Sequence, residues 1–117
     1  MGLLDSLFGR KVDSQKDAER KLKIDQYSSE SNGTIRVHDV FKIIGVGVIP
    51  VGEVIEGNIK PGYVCDVKGK QIEIKTIEMH HKQIEIAVPG DKIGFNVTGI
   101  SDKSDIKRGD ILYFHQK

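Results

Sequence analysis

The glycine spacing at residues 47–52 (Gly-Val-Ile-Pro-Val-Gly) is the feature of this chain that could cradle a phosphate. A phosphate-binding loop of this kind needs a Lys and then a Ser or Thr after the second glycine, and a helix behind them. Glu53 and Val54 stand at those two positions, and the flanking residues favour strands. The chain also lacks an Asn-Lys-x-Asp sequence that would read guanine. We therefore expect no GTP binding by this chain.

Four histidines and one cysteine could in principle ligate a metal: His38, His80, His81, His115 and Cys65. They show no metal-ligand spacing such as Cys-x-x-Cys, so we expect exposed or structural histidines and no metal site. Cys65 lies in an alternating apolar run, which favours a core position over a nucleophilic one.

A serine nucleophile has no support either, because Gly99-Ile100-Ser101 is not the strand-turn-helix elbow that such a serine requires. The sequence thus predicts no catalytic residues and no cofactor. We expect a binding protein, not an enzyme.

Composition narrows the possible partners. The 117 residues carry 18 basic and 17 acidic side chains, and residues 28–117 carry 12 of each. This balance argues against a broad basic field for nucleic acid, so any RNA contact must be local. The longest uncharged stretch, residues 43–52, is too short to span a membrane. The single cysteine, Cys65, and the lack of a secretory signal favour a cytoplasmic protein.

Residues 34–117 have the pattern of an all-β domain, in which short Val-, Ile- and Thr-rich runs alternate with glycine-bearing turns. The apolar alternation slips by one residue between Ile74 and Ile77, which indicates a bulge that bends the sheet. These features predict a small closed antiparallel barrel of about six or seven strands. The predicted strands cover residues 34–41, 46–56, 63–67, 71–79, 83–88, 92–98 and 110–114.

Residues 1–33 form an N-terminal arm and linker that differ in composition from the barrel. Residues 13–22 contain good helix formers, and residues 28–33 are polar and turn-rich, so we expect a helical or disordered arm and a boundary near residue 33. Nearer the start, Leu3, Leu4, Leu7 and Phe8 form an apolar helical face before Arg10 and Lys11. This face predicts docking to a protein partner or peripheral binding to a membrane. The alternative is a helix that packs on its own barrel.

The barrel region resembles domain 2 of the elongation factor 1-alpha/Tu family of translation GTPases. The resemblance covers about two-thirds of the chain, and its His-His and Gly-Phe-Asn-Val forms resemble the archaeal and eukaryotic branch. It implies a six-stranded closed barrel without the GTPase domain that precedes it in the parent factors. It rests on Asp39-Val40-Phe41-Lys42-Ile43, Gly45-Val46-Gly47, Pro50-Val51-Gly52-Glu53-Val54-Ile55-Glu56-Gly57, Ile59-Lys60-Pro61-Gly62, Ile77-Glu78-Met79-His80-His81, Pro89-Gly90-Asp91-Lys92-Ile93-Gly94-Phe95-Asn96-Val97 and Lys107-Arg108-Gly109-Asp110.

The resemblance also implies a pocket for the acceptor (CCA) end of tRNA, or a contact with ribosomal RNA. Glu78 falls where a carboxylate accepts a hydrogen bond from the terminal ribose, and the N–H of His81 falls where a main-chain donor meets the acyl group. Arg108 falls where an arginine meets acceptor-stem phosphate. The walls of the adenine pocket fall at Ile43, Gly45, Ile49 and Asn96.

Plainer interpretations remain open for these residues. Glu78 could be an ordinary exposed strand carboxylate, Arg108 a solvated turn residue, and Gly45 and Gly47 bulge glycines. At the level of the whole chain, the alternative to RNA binding is a protein-interaction adaptor that is localised by its N-terminal segment. A third reading is an elongation-factor relic that has kept no ligand.

Overall fold

The computed structural model describes residues 18–117. A helix, α1, covers residues 18–27, and a 3₁₀ turn covers Lys103–Asp105. Seven strands make up the remainder of the regular structure: β1 Asn32–Ile43, β2 Gly47–Gly57, β3 Val64–Val67, β4 Lys70–Met79, β5 Lys82–Ile84, β6 Lys92–Thr98 and β7 Ile111–His115. Leu3, Leu4, Leu7 and Phe8, predicted to dock to a partner or membrane, lie outside the described residues.

Six of the strands close into an antiparallel barrel. The order is β3-β7-β1-β2-β6-β4, and a pairing between β3 and β4 joins the two ends. The seventh strand, β5, pairs with β4 as a short flap on the barrel. This architecture confirms the closed six-stranded barrel that the sequence predicts.

Alternation along the strands separates the core from the surface. Ile93, Phe95 and Val97 are buried, whereas the residues between them on β6 face outward. Phe95 and Phe114 meet edge to face in the core, with ring centroids 5.8 Å apart and planes at 90°. Residues that alternate in sequence therefore line two different surfaces, one inside the barrel and one outside it.

Register shifts bend the strands where the barrel turns. One falls between Ile74 and Thr76 of β4, which confirms the predicted bulge. Two others fall in β1, between Thr34 and Ile35 and between Val37 and Asp39. The sequence does not predict these two.

The predicted strand over residues 83–88 is wrong at its carboxyl end, since β5 stops at Ile84. Ala87 instead pairs with Ile59, and the N–H of Val88 donates to the Asp91 carboxylate at 3.0 Å. Ala87 and Val88 are adjacent and both buried, so the side chains do not alternate between the two faces here as they do in a strand. Contacts with the segment between β2 and β3, and with Asp91, end β5 here despite its apolar pattern.

Helix α1 and the residues that follow it contact the barrel. The helix consists of good helix formers and ends at Tyr27, before the Ser28-Ser29 turn. The side chain of the buried Asn58 donates to the carbonyl of Tyr27 at 2.6 Å and to that of Glu30 at 2.9 Å. Among residues 18–117, no helix is long and apolar enough to cross a membrane.

Candidate nucleic-acid interface

A row of paired residues crosses the outer faces of four neighbouring strands, and we call it the outer groove. Val51 of β2 lies opposite Gly94 of β6. Gly94 in turn lies opposite Glu78 of β4, and Glu78 lies opposite Gln83 of β5. The strand register thus places an apolar side chain, a glycine and a carboxylate in one line.

Gly94 forms the floor of the outer groove because it has no side chain. A methyl group placed there would lie 3.8 Å from Cγ2 of Ile49 and 3.9 Å from Cγ2 of Val51, which is ordinary van der Waals contact. Ile49 and Val51 are half-buried and form an apolar wall beside this floor. The structure therefore brings the predicted residues Ile49 and Glu78 to the two sides of one glycine.

Asn96 continues the groove one pair further along β6. It faces outward, half-buried, and lies opposite Thr76 of β4. Its Oδ1 would lie 3.6 Å from a methyl group at Gly47, so the space over Gly47 adjoins the Asn96 amide. Asn96 therefore presents a hydrogen-bonding group next to a second glycine, Gly47.

Ile43 and Gly45 lie at the tip of the β1–β2 hairpin, beside this second glycine. Ile43 pairs with Gly47, and Gly45 adopts a left-handed backbone with φ +83°. The tip exposes apolar side chains, and Ile44 is 99% exposed. This left-handed turn conformation is by itself enough to explain why residue 45 is a glycine.

His81 lies in the two-residue turn that joins β4 to the β5 flap. Met79 pairs with Lys82 across the turn, and His80 and His81 both have left-handed backbones, with φ of +54° and +64°. Left-handed values at both central residues are typical of a type I′ turn, which favours Asn-Gly. Within residues 18–117 the N–H of His81 has no backbone acceptor, so it can serve as a donor.

Arg108 lies apart from the outer groove. It belongs to the turn before β7, where the N–H of Gly109 donates to the carbonyl of Val37 on β1 at 2.8 Å. Val37 pairs with Gly52 of β2, so β1 and β2 separate this turn from Gly94. Arg108 is exposed and could reach only a ligand that extends beyond the groove.

The cysteine and the acidic groups do not form a second site in the described part of the chain. Cys65 is buried, which confirms its predicted core position, and burial raises the pKa of its thiol. His80, His81 and His115 are exposed and His38 is half-buried. In residues 18–117 no three His, Cys, Asp or Glu side chains converge as metal ligands.

The outer groove combines groups that suit a flat ring carrying hydroxyl groups. The floor at Gly94 and the wall at Ile49 can accommodate a ring, and the exposed carboxylate of Glu78 can accept hydrogen bonds from hydroxyl donors. The N–H of His81 and the amide of Asn96 add hydrogen-bonding groups at the two ends. This arrangement is suited to binding.

Sequence reasoning did not identify Gly94, Gly47 or Val51 as groove residues. The signal available for Gly94 was the alternation of apolar residues along β6, because Gly94 and Asn96 both fall between buried residues of that strand. Placing Gly94 between Val51 and Glu78 required the register of three strands, which alternation alone does not supply.

The family described as "Elongation factor Tu domain 2" matches residues 47–113. Elongation factor 1-alpha of Methanococcus maripaludis is 55% identical over 78 residues, which cover 65% of this chain and 18% of that protein. The corresponding protein of Thermoplasma acidophilum is 52% identical over 79 residues, with 66% and 18% covered. The match to archaeal elongation factors confirms the predicted resemblance.

A solved structure of a translation elongation factor also resembles this chain. Translation elongation factor SelB from Methanococcus maripaludis, in its apo form, superposes with a TM-score of 0.62 at 27% identity, and the match covers 72% of this chain and 19% of SelB. The chain thus spans about a fifth of the length of the relatives it matches. Together with the closed barrel and its register, these matches show that the chain belongs to the elongation factor Tu domain 2 family.

Proposed function

We propose that this translation-factor barrel binds the acceptor end of tRNA, or a similar exposed end in ribosomal RNA, in its outer groove. The observation that carries the proposal is the register that sets Gly94 between Val51 and Glu78. A terminal adenosine has the flat ring and the hydroxyl donors that such a groove can accept. The proposed role is binding in the cytoplasm, without catalysis and without GTP.

Each groove residue has a distinct part in this proposal. The adenine ring lies over Gly94 against Ile49, and the Glu78 carboxylate accepts a hydrogen bond from the ribose 2′-hydroxyl. The N–H of His81 donates to the acyl group of a charged tRNA. The Asn96 amide contacts the edge of the base, next to Ile43 and Gly45 at the hairpin tip.

Arg108 contributes outside the groove, through a phosphate further along the acceptor stem. A charge-assisted hydrogen bond of this kind contributes about 1.5–3 kcal/mol when well formed. Because phosphate contacts carry no sequence information, Arg108 adds affinity and not selectivity for the terminal adenosine.

An amide chemical-shift titration tests the proposal directly. The labelled full chain is titrated at fixed salt with an acceptor-stem RNA that ends in CCA, and with its aminoacylated form. We expect saturable shifts at Gly94, Glu78 and His81, and tighter binding of the aminoacylated form. No shifts at about millimolar RNA, the limit of measurable affinity, would contradict the proposal.

Matched variants sharpen the titration. Glu78→Gln removes the charged acceptor and should weaken RNA binding by about tenfold, since hydrogen bonds to charged groups contribute about 1.5–3 kcal/mol. Glu56→Gln makes the same change of charge at an exposed residue of β2, opposite Thr34 and away from the groove. Equal effects of the two variants would indicate a general electrostatic effect instead of a groove contact.

A second candidate function is a protein-interaction adaptor. It is favoured by the exposed apolar side chains at the β1–β2 tip, where Phe41, Ile43 and Val46 are about half exposed in addition to Ile44. On this reading Ile44→Asp, or Leu7→Asp in the N-terminal segment, abolishes partner capture or membrane localisation. Glu78→Gln then has no effect on function, which separates the two candidates.

A further inference from the structure

Helix α1 is fastened to the connection between β5 and β6 by two basic side chains. Nε of Arg20 lies 3.0 Å from Oδ2 of Asp91, and its terminal guanidinium nitrogen donates to the carbonyl of Ile86 at 2.6 Å. Nζ of Lys23, one turn later, donates to the carbonyl of Pro89 at 3.0 Å. All three contacts are made by charged side chains, so water and dissolved ions compete for the same groups.

The carboxyl end of α1 is held by different chemistry. Asn58 is fully buried and donates to the carbonyls of Tyr27 and Glu30. Its own carbonyl accepts a hydrogen bond from the hydroxyl of Tyr63. Salt screens a buried neutral network much less than an ion pair that solvent can reach, and the side chains of Arg20 and Asp91 are 25% and 11% exposed.

Arg20 joins the two ends of the connection that leads from β5 to β6. Ile86 lies two residues after β5, and Asp91 lies immediately before β6. β5 has three residues and pairs with β4 alone among the strands of the described structure, and the next backbone pairing along the connection is that of Ala87 with Ile59. The connection is therefore bridged by a residue more than 60 positions away in the sequence.

β5 is also one wall of the outer groove. Gln83 of β5 pairs with Glu78, and the His80-His81 turn leads directly into β5. Movement of β5 away from β4 would change the surroundings of the Glu78 carboxylate and of the N–H of His81. Any contact that fixes the position of β5 thus fixes one side of the groove.

We propose that α1 is a releasable strap, pivoting at Asn58, and that Arg20 is a positioning residue that fixes β5 and the His80-His81 turn. When the pair of Arg20 with Asp91 breaks, the first turn of α1 lifts and β5 loosens from β4. Ionic strength shifts the balance between the two states because the pair is only partly buried. The consequence for RNA rests on the proposed function, whereas the movement of β5 does not.

Amide hydrogen exchange on the full chain tests the strap. Arg20→Ala should accelerate exchange at residues 82–87 by about tenfold and leave β1 and β7 unchanged, since local opening is controlled by local contacts. Arg20→Lys keeps the charge and should give a smaller acceleration. The matched control is Lys21→Ala, which removes an exposed charge from the same helix and should have no effect.

The salt dependence of hydrogen exchange is a second, independent test of the strap. Raising the salt from about 0.05 M to about 1 M should bring exchange at residues 82–87 of the unmodified chain towards the Arg20→Ala rate, and should change that variant little. Unchanged exchange at residues 82–87 in Arg20→Ala would overturn the proposal. So would an equal acceleration in every strand, which indicates global destabilisation.

RNA titration of the same proteins separates this inference from the proposed function. If Arg20→Ala loosens β5 and neither protein binds acceptor-stem RNA, the strap stands and the proposed function fails. If both proteins bind RNA equally and β5 exchange is unchanged, the proposed function stands and the strap fails. If both hold, Arg20→Ala should bind the RNA severalfold more weakly because one wall of the groove is no longer fixed.

Discussion

Gly94 faces Glu78 across the β6–β4 ladder, on the outer face of both strands. A methyl group at this position would make ordinary contacts with Ile49 and Val51. The backbone of Gly94 is also outside the left-handed region, so nothing strains a larger residue there. The barrel therefore does not require a glycine at position 94.

We expect Gly94→Ala to fold normally and to change the free energy of unfolding by less than about 1 kcal/mol. Gly94→Leu should fill the floor and abolish binding of acceptor-stem RNA, because the ring would lose its place beside Ile49. Urea unfolding and RNA titration measure the two effects. Tight RNA binding by Gly94→Leu would contradict the placement of the ring.

Gly52 provides the steric counterpart in the neighbouring strand. A methyl group there would come within 2.3 Å of the carbonyl oxygen of Arg36 and 2.9 Å of Cγ2 of Ile35. Gly52→Ala should therefore cost more than about 3 kcal/mol of stability, measured by the same urea unfolding. Similar costs for Gly52→Ala and Gly94→Ala would mean that the register of β2 is wrong.

The strands of the barrel are predictable from sequence because their apolar pattern lies within short, continuous segments. Ile93, Phe95 and Val97 alternate with polar residues, and the slip between Ile74 and Ile77 marks a bulge that the register confirms. The end of β5 is not predictable in this way. Its apolar alternation continues past Ile84, and it is overridden by pairings that come from elsewhere in the chain.

The groove was harder to predict than the barrel. Glu78 and Ile49 follow from the family resemblance, but Gly94 becomes a floor only once three strands are in register. Arg20 and Asn58 are less visible still, since they join groups 71 and 31 positions apart and lie in no recognisable motif. Long-range polar contacts leave no periodic signal in a sequence.

The His80-His81 turn carries a backbone cost that a substitution can relieve. Both residues are left-handed, which is unfavourable for side chains other than Gly and Asn. Replacing them together by Asn and Gly should raise the free energy of unfolding by about 1 kcal/mol. The main-chain N–H at position 81 is kept, so RNA affinity should stay within about twofold, a difference of about 0.4 kcal/mol. Loss of RNA binding would show that the imidazole of His81, and not its N–H, contacts the ligand.

Stability should decline at alkaline pH because two buried acids hold their protons in the folded state. Burial raises the pKa of the Cys65 thiol, and burial followed by the charge of Glu30 raises the pKa of the Tyr63 hydroxyl. Their contribution is fully present below the unfolded pKa values, about 8.5 and about 10, and is lost as pH rises through the folded values.

Urea unfolding at intervals from about pH 7 to about pH 11 measures this decline, which for one group cannot exceed about 1.4 kcal/mol per pH unit. Cys65→Ala removes the thiol, so its stability should stay level until the pH approaches the range in which tyrosine ionises. If the two proteins decline together from about pH 8.5, the thiol is not the cause.

The side chain of Asn58 joins α1 to the barrel, so its removal should lower the stability of the fold and loosen α1. Asn58→Ala leaves the carbonyl of Tyr27 without its partner, and leaves the Tyr63 hydroxyl and the Glu30 carbonyl only the long hydrogen bond between them, at 3.4 Å. We expect a loss of about 2–4 kcal/mol in urea unfolding, since each buried group left unsatisfied costs about 1–3 kcal/mol and some regain water. Amide exchange should also accelerate throughout α1, because the helix loses the hydrogen bonds that hold its carboxyl end to the barrel.

Asn32→Ala is the matched control, because Asn32 is exposed and only its backbone carbonyl accepts the hydrogen bond that the N–H of Asn58 donates. It should change stability by less than about 0.5 kcal/mol. Asn58→Asp tests the donors specifically, since a carboxylate still accepts from Tyr63 but repels the two carbonyls. If Asn58→Asp were as stable as the unmodified chain, the donor contacts to Tyr27 and Glu30 could not be what holds α1 in place.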